Sequence, residues 1–548
     1  MMNNIGGTHS NGQAISWQLH ANTELGPDDI RDIADVASTG NDDVDSIIYG
    51  SIYSLDPDSD ITTISYSYVN SNSFYSTDAG GGYGPSDGDA EPWVGTSELT
   101  SAEKAIVENV LTQIEGMTKI DFVEVIDDET TAGTVRFAWT DMYDENAVAW
   151  GYLPLYGEAS GDIWLQTGEF ESESELGSYF HTTLLHEIGH AVGLTHSFDA
   201  DGDFGIALRD DLEGNDYTVM SYTLSARHPT AYYADLHPQT YMYLDILALR
   251  HMYGKTAVNG GDTTYEYNAT DRYYLTIFDT DGTDTIKIGS AVSQNLEIDL
   301  SPNSWIDVGT TIYYQIDTGG DTWDEVWEDK TVFIPPGVYI ENAYAGSGDD
   351  TIGGNTKDNI LKGGRGEDSL SGARGADELY GNGGADALYG GKGYDALYGG
   401  KGHDALYGGK GYDALYGGKG DDDLFGNKGN DDLYGNRGED ILVGGSGSDN
   451  LYGGSGADRL VGGKGDDFLT GGADADAFDF RGEWGDDTIV DFQDGLDMID
   501  LSSSKLDFND LTIQQSGTSV LIEDDNGNSI TLLNATLSTI SEDDFLFT

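Results

Sequence analysis

The apolar positions of this chain change period several times, and each change marks an element. Residues 61–69, ITTISYSYV, alternate like a strand. Ser97-Glu98-Leu99-Thr100 leads into SAEKAIVENVLTQIEGM, 101–117, which is apolar at helical spacing. IDFVEVI (120–126), GTVRFAW (133–139) and GDIWLQT (161–167) read as strands. YFHTTLLHEIGHAVGL (179–194) reads as a helix ending at Gly193, and MYLDILALRHMYG (242–254) as another stopped by Gly254. This order predicts an α/β-type domain over residues 46–254. Residues 255–344 read as an all-β connection to the C-terminal part of the chain. SVLIEDDNGNSITLL (519–533) reads as a hairpin turning at Asn526-Gly527. Residues 1–45 are polar with no strong period, and AGGGYGPSDGD (79–89) is a glycine-rich loop.

From Ala345 to Thr470 the period becomes nine, without a register break, and is sharpest in GGKGYDALY, GGKGHDALY, GGKGYDALY from Gly390 to Tyr416. GNTKDNILK, starting at Gly354, lacks the glycine at position four and the aspartate at position six. Beyond Thr470 the pattern decays through GGADADAFDF. Position six holds Asp350, Asp368, Asp377, Asp386, Asp395, Asp404, Asp413, Asp422, Asp431, Asp440, Asp449, Asp458 and Asp467. Position eight is a large aliphatic, as at Leu370, Leu379, Leu388, Leu397, Leu406 and Leu415. The units match GGxGxDxUx and resemble the calcium-binding nonapeptides of RTX proteins. Two units per turn of a parallel β-roll would stack the carboxylates in rows, where calcium takes six to eight oxygen ligands. A flexible acidic linker would not need an aliphatic residue at one fixed phase.

Charge sharpens this reading. The 548 residues carry 25 Lys+Arg against 99 Asp+Glu, a net −74. Nucleic acid and anionic membrane surfaces are thereby excluded as partners. Without cations the repeats should be disordered, so calcium binding supplies their folding free energy. Cysteine is absent, which excludes disulfides, a thiolate nucleophile and a cysteine-ligated zinc. No apolar run is long enough for a membrane helix. MMNNIGGTHSNGQAISW lacks the basic start and apolar core of a Sec signal peptide, so an export address is expected elsewhere.

The chemistry concentrates in His186-Glu187-Ile188-Gly189-His190-Ala191-Val192-Gly193-Leu194-Thr195-His196, the spacing HExxHxxGxxH. His186 and His190 are four apart, so both imidazoles leave one helical face toward one ion. Gly193 permits a sharp turn that brings up His196 as a third ligand. Three neutral nitrogens leave a fourth zinc position for water, whose pKa zinc lowers to about 7. Glu187 is placed to take that water's proton and pass it to the leaving amine. His181, five residues before His186, reads as packing. Asp199, Asp201 and Asp203 read equally as a solvated acidic loop or a calcium loop.

This motif, followed by Val219-Met220-Ser221-Tyr222, resembles the metzincin metalloproteases and within them the serralysins. The resemblance implies that Met220 lies beneath the zinc site and that Tyr222 is a reversible zinc ligand that swings out to steady the oxyanion. AWGYLPL (149–155) with GDIWLQ (161–166) resembles the serralysin substrate-side strand, which suits broad specificity. LDILALRHMYG (244–254) resembles the helix closing the catalytic domain, and VYIENAYAGSGDDTIGGN (338–355) the entry into the repeats. The chain departs from the family at Ser197, where serralysins usually carry proline. DFQDGLDMIDLS (491–502) resembles the segment capping the roll, and Glu542-Asp543-Asp544-Phe545-Leu546-Phe547-Thr548 a type I secretion signal. By the same resemblance part of 1–45 is a propeptide.

The expectation is therefore an α/β metzincin-type zinc protease domain, then an all-β parallel β-roll over 345–480 and a β-rich cap with the secretion signal over 481–548. It is a secreted, monomeric endopeptidase acting on protein substrates, with one zinc and several calcium ions, exported by type I machinery. A calcium-binding adhesion protein with a vestigial protease domain is disfavoured because the three histidines and Glu187 are all retained. A pore-forming toxin would need long apolar segments, and none exists.

Overall fold

A computed structural model describes residues 6–8, 14–16, 33–49, 51–53, 61–70, 73, 96–127, 132–141, 148–154, 161–170, 175–198, 206–318, 322–482 and 484–547. The glycine-rich loop 79–89, the Asp199–Asp203 loop and most of residues 1–32 lie outside them. The chain divides into two compact units. One comprises Met1–Gly260, Arg272–Asp281 and Thr311–Phe333; the other comprises Gly261–Asp271, Gly282–Thr310 and Ile334–Thr548.

In the first unit β1 (Thr62–Tyr68), β2 (Ile120–Glu124), β3 (Val135–Thr140), β4 (Ala149–Gly151) and β5 (Ile163–Gln166) form one sheet in the order β2-β1-β3-β5-β4. All neighbours are parallel except β4, which runs antiparallel along the β5 edge with Ala149 opposite Leu165 and Gly151 opposite Ile163. A buried ion pair, Arg136 Nη2 to Asp162 Oδ2 at 3.0 Å, ties β3 to the entry of β5. Helix α1 (Ser101–Met117) starts at the expected residue because Thr100 and Glu103 close a capping box. Its apolar stripe, including Ile106, Val110 and Ile114, is buried. Helix α2 (Tyr179–Ala191) is buried on all sides from Phe180 onward. It ends before Gly193 because that residue takes φ +104, a conformation no helix continues. Helix α3 (Tyr243–Tyr253) stops at Gly254, φ +80. A second, smaller sheet joins β6 (Ala231–Ala234), β7 (Leu275–Thr276), β8 (Ser304–Asp317) and β9 (Trp323–Ile334) in the order β6-β8-β9-β7.

The second unit is a parallel β-solenoid. Each strand of the repeats up to Arg459–Lys464 pairs with the strand two units on, eighteen residues later, as Leu379 with Leu397 and Leu388 with Leu406. Successive units therefore alternate between two sheets, and the position-eight leucines from Leu361 to Leu469 are fully buried between them. The tyrosines at position nine stack rung on rung: Tyr380, Tyr398, Tyr416, Tyr434 and Tyr452 form one ladder with ring centroids 4.7–5.0 Å apart.

The ladders do not stop where the nonapeptide pattern decays. Ala477–Asp479, Asp486–Ile489 and Met498–Asp500 continue them in parallel, with Phe478, Ile489 and Ile499 in the leucine phase. Backbone pairing needs only the inward apolar residue and the buried carboxylate. The glycines can be lost before the fold is. The final hairpin forms as expected, Val520 opposite Leu532 and Glu523 opposite Ser529.

Glycine is required where the turns of successive rungs nearly touch. A Cβ on Gly411, φ +146, would fall onto the carbonyl oxygen of Gly393. One on Gly517, φ +63, would meet nothing within 4 Å. Gly411→Ala is expected to destabilise the solenoid by roughly 3 kcal/mol or more, against about 1 kcal/mol for Gly517→Ala. Urea titration followed by far-ultraviolet circular dichroism measures both.

Candidate metal centre

Helix α2 and the loop after it bring the three motif histidines together. Their ligand atoms lie within 4.8 Å of one another. His190 Nε2 is 3.1 Å from both His186 Nε2 and His196 Nε2. The far nitrogens explain this convergence. His186 Nδ1 lies 2.8 Å from the Val219 carbonyl oxygen, and His190 Nδ1 lies 2.8 Å from that of Leu194. A carbonyl accepts only, so both Nδ1 atoms carry the proton and both Nε2 atoms present lone pairs. Burial lowers the His186 pKa to about 4, and burial with the neighbouring imidazoles holds His190 and His196 well below the ordinary value. Neutral rings with lone pairs facing one another repel unless a cation sits between them. Tetrahedral zinc with ligands at its usual bond length would set the nitrogens roughly 3.3 Å apart. The cluster fits that ion.

Glu187 is buried beside the cluster, and burial raises its carboxyl to about 8, partly offset by a hydrogen bond from the Gly151 backbone. Gly151 is the end of the edge strand β4. A Cβ there would come within 2.6 Å of the Glu187 carbonyl oxygen and 3.0 Å of Oε2. Only glycine lets the strand lie this close to the acid. Nothing in the sequence pattern marked Gly151.

Met220 is fully buried and packs under the helix: its Sδ would lie 2.9 Å from a Cβ on Gly189, so the glycine inside the motif is what admits the methionine. Tyr222 Oη stands 2.6 Å from His196 Nε2. Phe198 stacks on His196 at 5.1 Å. Asp245, in the first turn of α3, accepts from Thr218 Oγ1 (2.5 Å), Val219 N (2.8 Å) and Met242 N (3.0 Å). It thereby fixes the turn that carries Met220, and its burial raises its carboxyl to about 7. Sequence reading passed over Asp245; its signal was an acid in the first turn of the predicted helix 242–254, and it is the third residue of the helix as formed. Asp216 anchors the following segment through Ser225, Tyr274 (2.8 Å) and Arg227 (3.0 Å). His181 is buried away from the cluster and accepts from Gly177 N at 3.0 Å. Ser197 continues the chain past His196 and donates its backbone N–H to the Met220 carbonyl at 3.4 Å.

In the solenoid each position-six carboxylate is buried. One oxygen accepts the backbone N–H of the aspartate one turn earlier, as Asp350 N to Asp368 Oδ1 (2.8 Å) and Asp395 N to Asp413 Oδ1 (3.0 Å). The other oxygen, Oδ2, is buried with no protein donor in all thirteen aspartates singled out from sequence. Asp476 and Asp487 repeat the arrangement and were missed. Asp476 lay nine residues after Asp467 and was findable; Asp487 lies twenty after it and was not. Asn359 fills the rung that lacks the acid. Burial pushes Asp350 up to about 6, Asp377 to about 7 and Asp487 to about 8. A buried anionic oxygen without a donor is costly, and rows of them beside backbone carbonyls fit calcium.

Residues 109–244 match the family described as metallo-peptidase family M12B, reprolysin-like. Residues 344–379, 380–415, 416–451 and 452–489 match four copies of the RTX calcium-binding nonapeptide repeat. The fold and these matches define a metallopeptidase domain followed by a calcium-binding β-solenoid. The serralysin of Proteus mirabilis is 30% identical over 246 residues, 40% of this chain and 46% of that protein. Serralysin A of Dickeya chrysanthemi is 32% identical over 285 residues, 48% and 55% of the two chains. Metalloprotease AprA of Pseudomonas entomophila is 29% identical over 296 residues, 48% and 56%. The chain spans about half the length of the curated relatives it matches. The two matched regions are thus similar to a reprolysin-like metallopeptidase domain and to RTX repeats, and the relatives that the chain resembles are serralysins and AprA metalloproteases.

The raised carboxyls make a test. The ordinary aspartate value is 3.8 and the folded values are higher, so the folded solenoid binds more protons than the unfolded chain between about pH 4 and about pH 7. That stabilisation is complete at the acid end and lost as pH rises. In chelator-treated, calcium-free buffer the strand signal in circular dichroism should therefore be stronger at about pH 5 than at about pH 8. A signal that strengthens with rising pH would contradict the burial of these groups.

Proposed function

We propose that the chain is a secreted zinc endopeptidase of broad specificity, folded and stabilised by calcium. The observation that carries this is the convergence of three neutral imidazole lone pairs beside a buried glutamate. In this reading His186, His190 and His196 hold one zinc, with Tyr222 as a reversible fourth partner. When bound, zinc supplies a water of lowered pKa and a Lewis acid for the scissile carbonyl. The rest falls to the protein. The outer edge of β4 takes the substrate as an added antiparallel strand through main-chain hydrogen bonds, which demands little of its side chains. Glu187, held by the Gly151 N–H, removes the proton of the attacking water and delivers it to the leaving amine. Tyr222 Oη turns from His196 and donates to the developing oxyanion.

The position-six aspartates, Asp350 to Asp467, bind several calcium ions and make folding conditional on them. A solenoid that stays unfolded at cytosolic calcium remains threadable, which suits export by type I machinery through a C-terminal signal in 481–548. Residues 1–45 contain a propeptide, 46–254 the catalytic domain, 255–344 the connection and 345–480 the roll. The protein acts as a monomer on protein substrates.

Casein hydrolysis in millimolar calcium is the direct test. Glu187→Ala should lower kcat by about 10³-fold, and phenanthroline should abolish activity until zinc is restored. Hydrolysis that persists in Glu187→Ala or in the zinc-stripped protein would refute the reading. Tyr222→Phe should lower kcat by roughly 10²-fold with KM little changed, measured on a quenched fluorescent peptide.

A further inference from the structure

The outer face of the β6-β8-β9 sheet takes no part in the proposed hydrolysis, yet among the described residues it carries the most exposed tryptophans of the first unit. Trp323 is 50% and Trp327 64% exposed. Alternation along β9 puts Trp323, Glu325, Trp327 and Asp329 on one face, and all four are exposed. On the opposite face Val326, Glu328 and Lys330 are half-buried, and Glu328 lies 3.1 Å from Arg227 Nη1. The outward order is therefore ring, acid, ring, acid, with the two indoles roughly 13 Å apart. Tyr232 meets Trp323 at 4.0 Å and 44°, and Tyr313 meets Trp327 at 4.9 Å and 50°. These tilts leave ring faces uncovered. Gln315 on β8 holds both tyrosines, donating to Tyr313 Oη at 2.8 Å and accepting from Tyr232 Oη. The rings are fixed before any partner arrives, so little side-chain entropy is lost on binding. Neither Glu325 nor Asp329 has an ion-pair partner among the described residues.

We infer that this face is an exosite for Lys- and Arg-rich polypeptide substrates. The inference rests on the endopeptidase reading and names a substrate class for it. An indole face attracts ammonium and guanidinium groups, and tryptophan does so best of the aromatic residues. A carboxylate beside each indole adds direct charge complementarity. An extended peptide laid along β9 presents alternate side chains at the same spacing as the strand. A cation at every second position would meet indole and carboxylate in turn. Anionic polymers are repelled by the same face, and a neutral glycan can donate hydroxyl hydrogen bonds to its carboxylates but gains no charge attraction from them. Electrostatic attraction of this kind raises the local substrate concentration and weakens with salt.

The test uses two quenched fluorescent peptides with the same cleavable sequence, one carrying an oligolysine tail and one a glycine-serine tail. The full-length protein is assayed in millimolar calcium. The oligolysine tail should lower KM by roughly 5- to 30-fold with kcat unchanged, and the advantage should shrink at about 1 M salt. Trp323→Ala/Trp327→Ala should erase the difference while leaving the glycine-serine peptide unaffected, and Glu325→Gln/Asp329→Asn should do the same without removing a ring. Binding of the oligolysine peptide to Glu187→Ala, followed by fluorescence anisotropy, reads the exosite without turnover. Failure to cleave either peptide would then count against the endopeptidase reading alone. An oligolysine advantage that is absent, or that survives both double variants, overturns the exosite. So does competition by the neutral glycan laminarin at the same face.

Discussion

Both units are built around buried acceptors that the protein's own donors do not satisfy. In the first unit three imidazole nitrogens turn their lone pairs toward one point, because two of the rings have already given their protons to backbone carbonyls. In the second, one carboxylate oxygen of nearly every rung is buried without a donor. Desolvated acceptors of this kind are destabilising in isolation. A cation turns each set from a cost into a source of stability, so metal binding and folding are one process here.

The two sets are supported differently. The imidazole cluster depends on a shell of single contacts: Gly189 admits Met220, Gly151 admits β4 to Glu187, and Asp245 fixes the turn that carries Met220. Each is a particular residue at a particular place, and a change there moves the reacting groups. The solenoid depends on repetition. Its leucine row, aspartate rows and tyrosine ladder each continue through many rungs, so one imperfect unit, such as that of Asn359, is carried by its neighbours. Order in the solenoid is consequently collective, whereas order at the imidazole cluster is local.

The helices and most strands of the first unit were legible because each is amphipathic at its own period and punctuated by a cap or a glycine: Thr100 with Glu103, Gly193, Gly254. The solenoid was legible for a stronger reason. A nine-residue repeat that holds both an aliphatic phase and an acidic phase has few folds open to it. Its aspartate row was followed only to Asp467, and Asp476 was missed, because the glycines fade before the inward phases do. Asp216 and Asp245 escaped notice since their partners are main-chain groups and side chains far along the chain, such as Tyr274 for Asp216.

By itself the sequence determined which residues share a helical face, which phase of each repeat points inward, and that His186, Glu187, His190 and His196 belong to one chemistry. Those properties depend on residues close in the chain, where backbone geometry alone sets the relation. Only the tertiary structure decided that Val219 and Leu194 carbonyls select the histidine tautomers, that Tyr222 reaches His196, that Gly151 lies against Glu187, and that Trp323 and Trp327 share an exposed face with Tyr232 and Tyr313. These are contacts made by sheet order and loop path, and residues far apart in the chain meet only once the whole unit has packed.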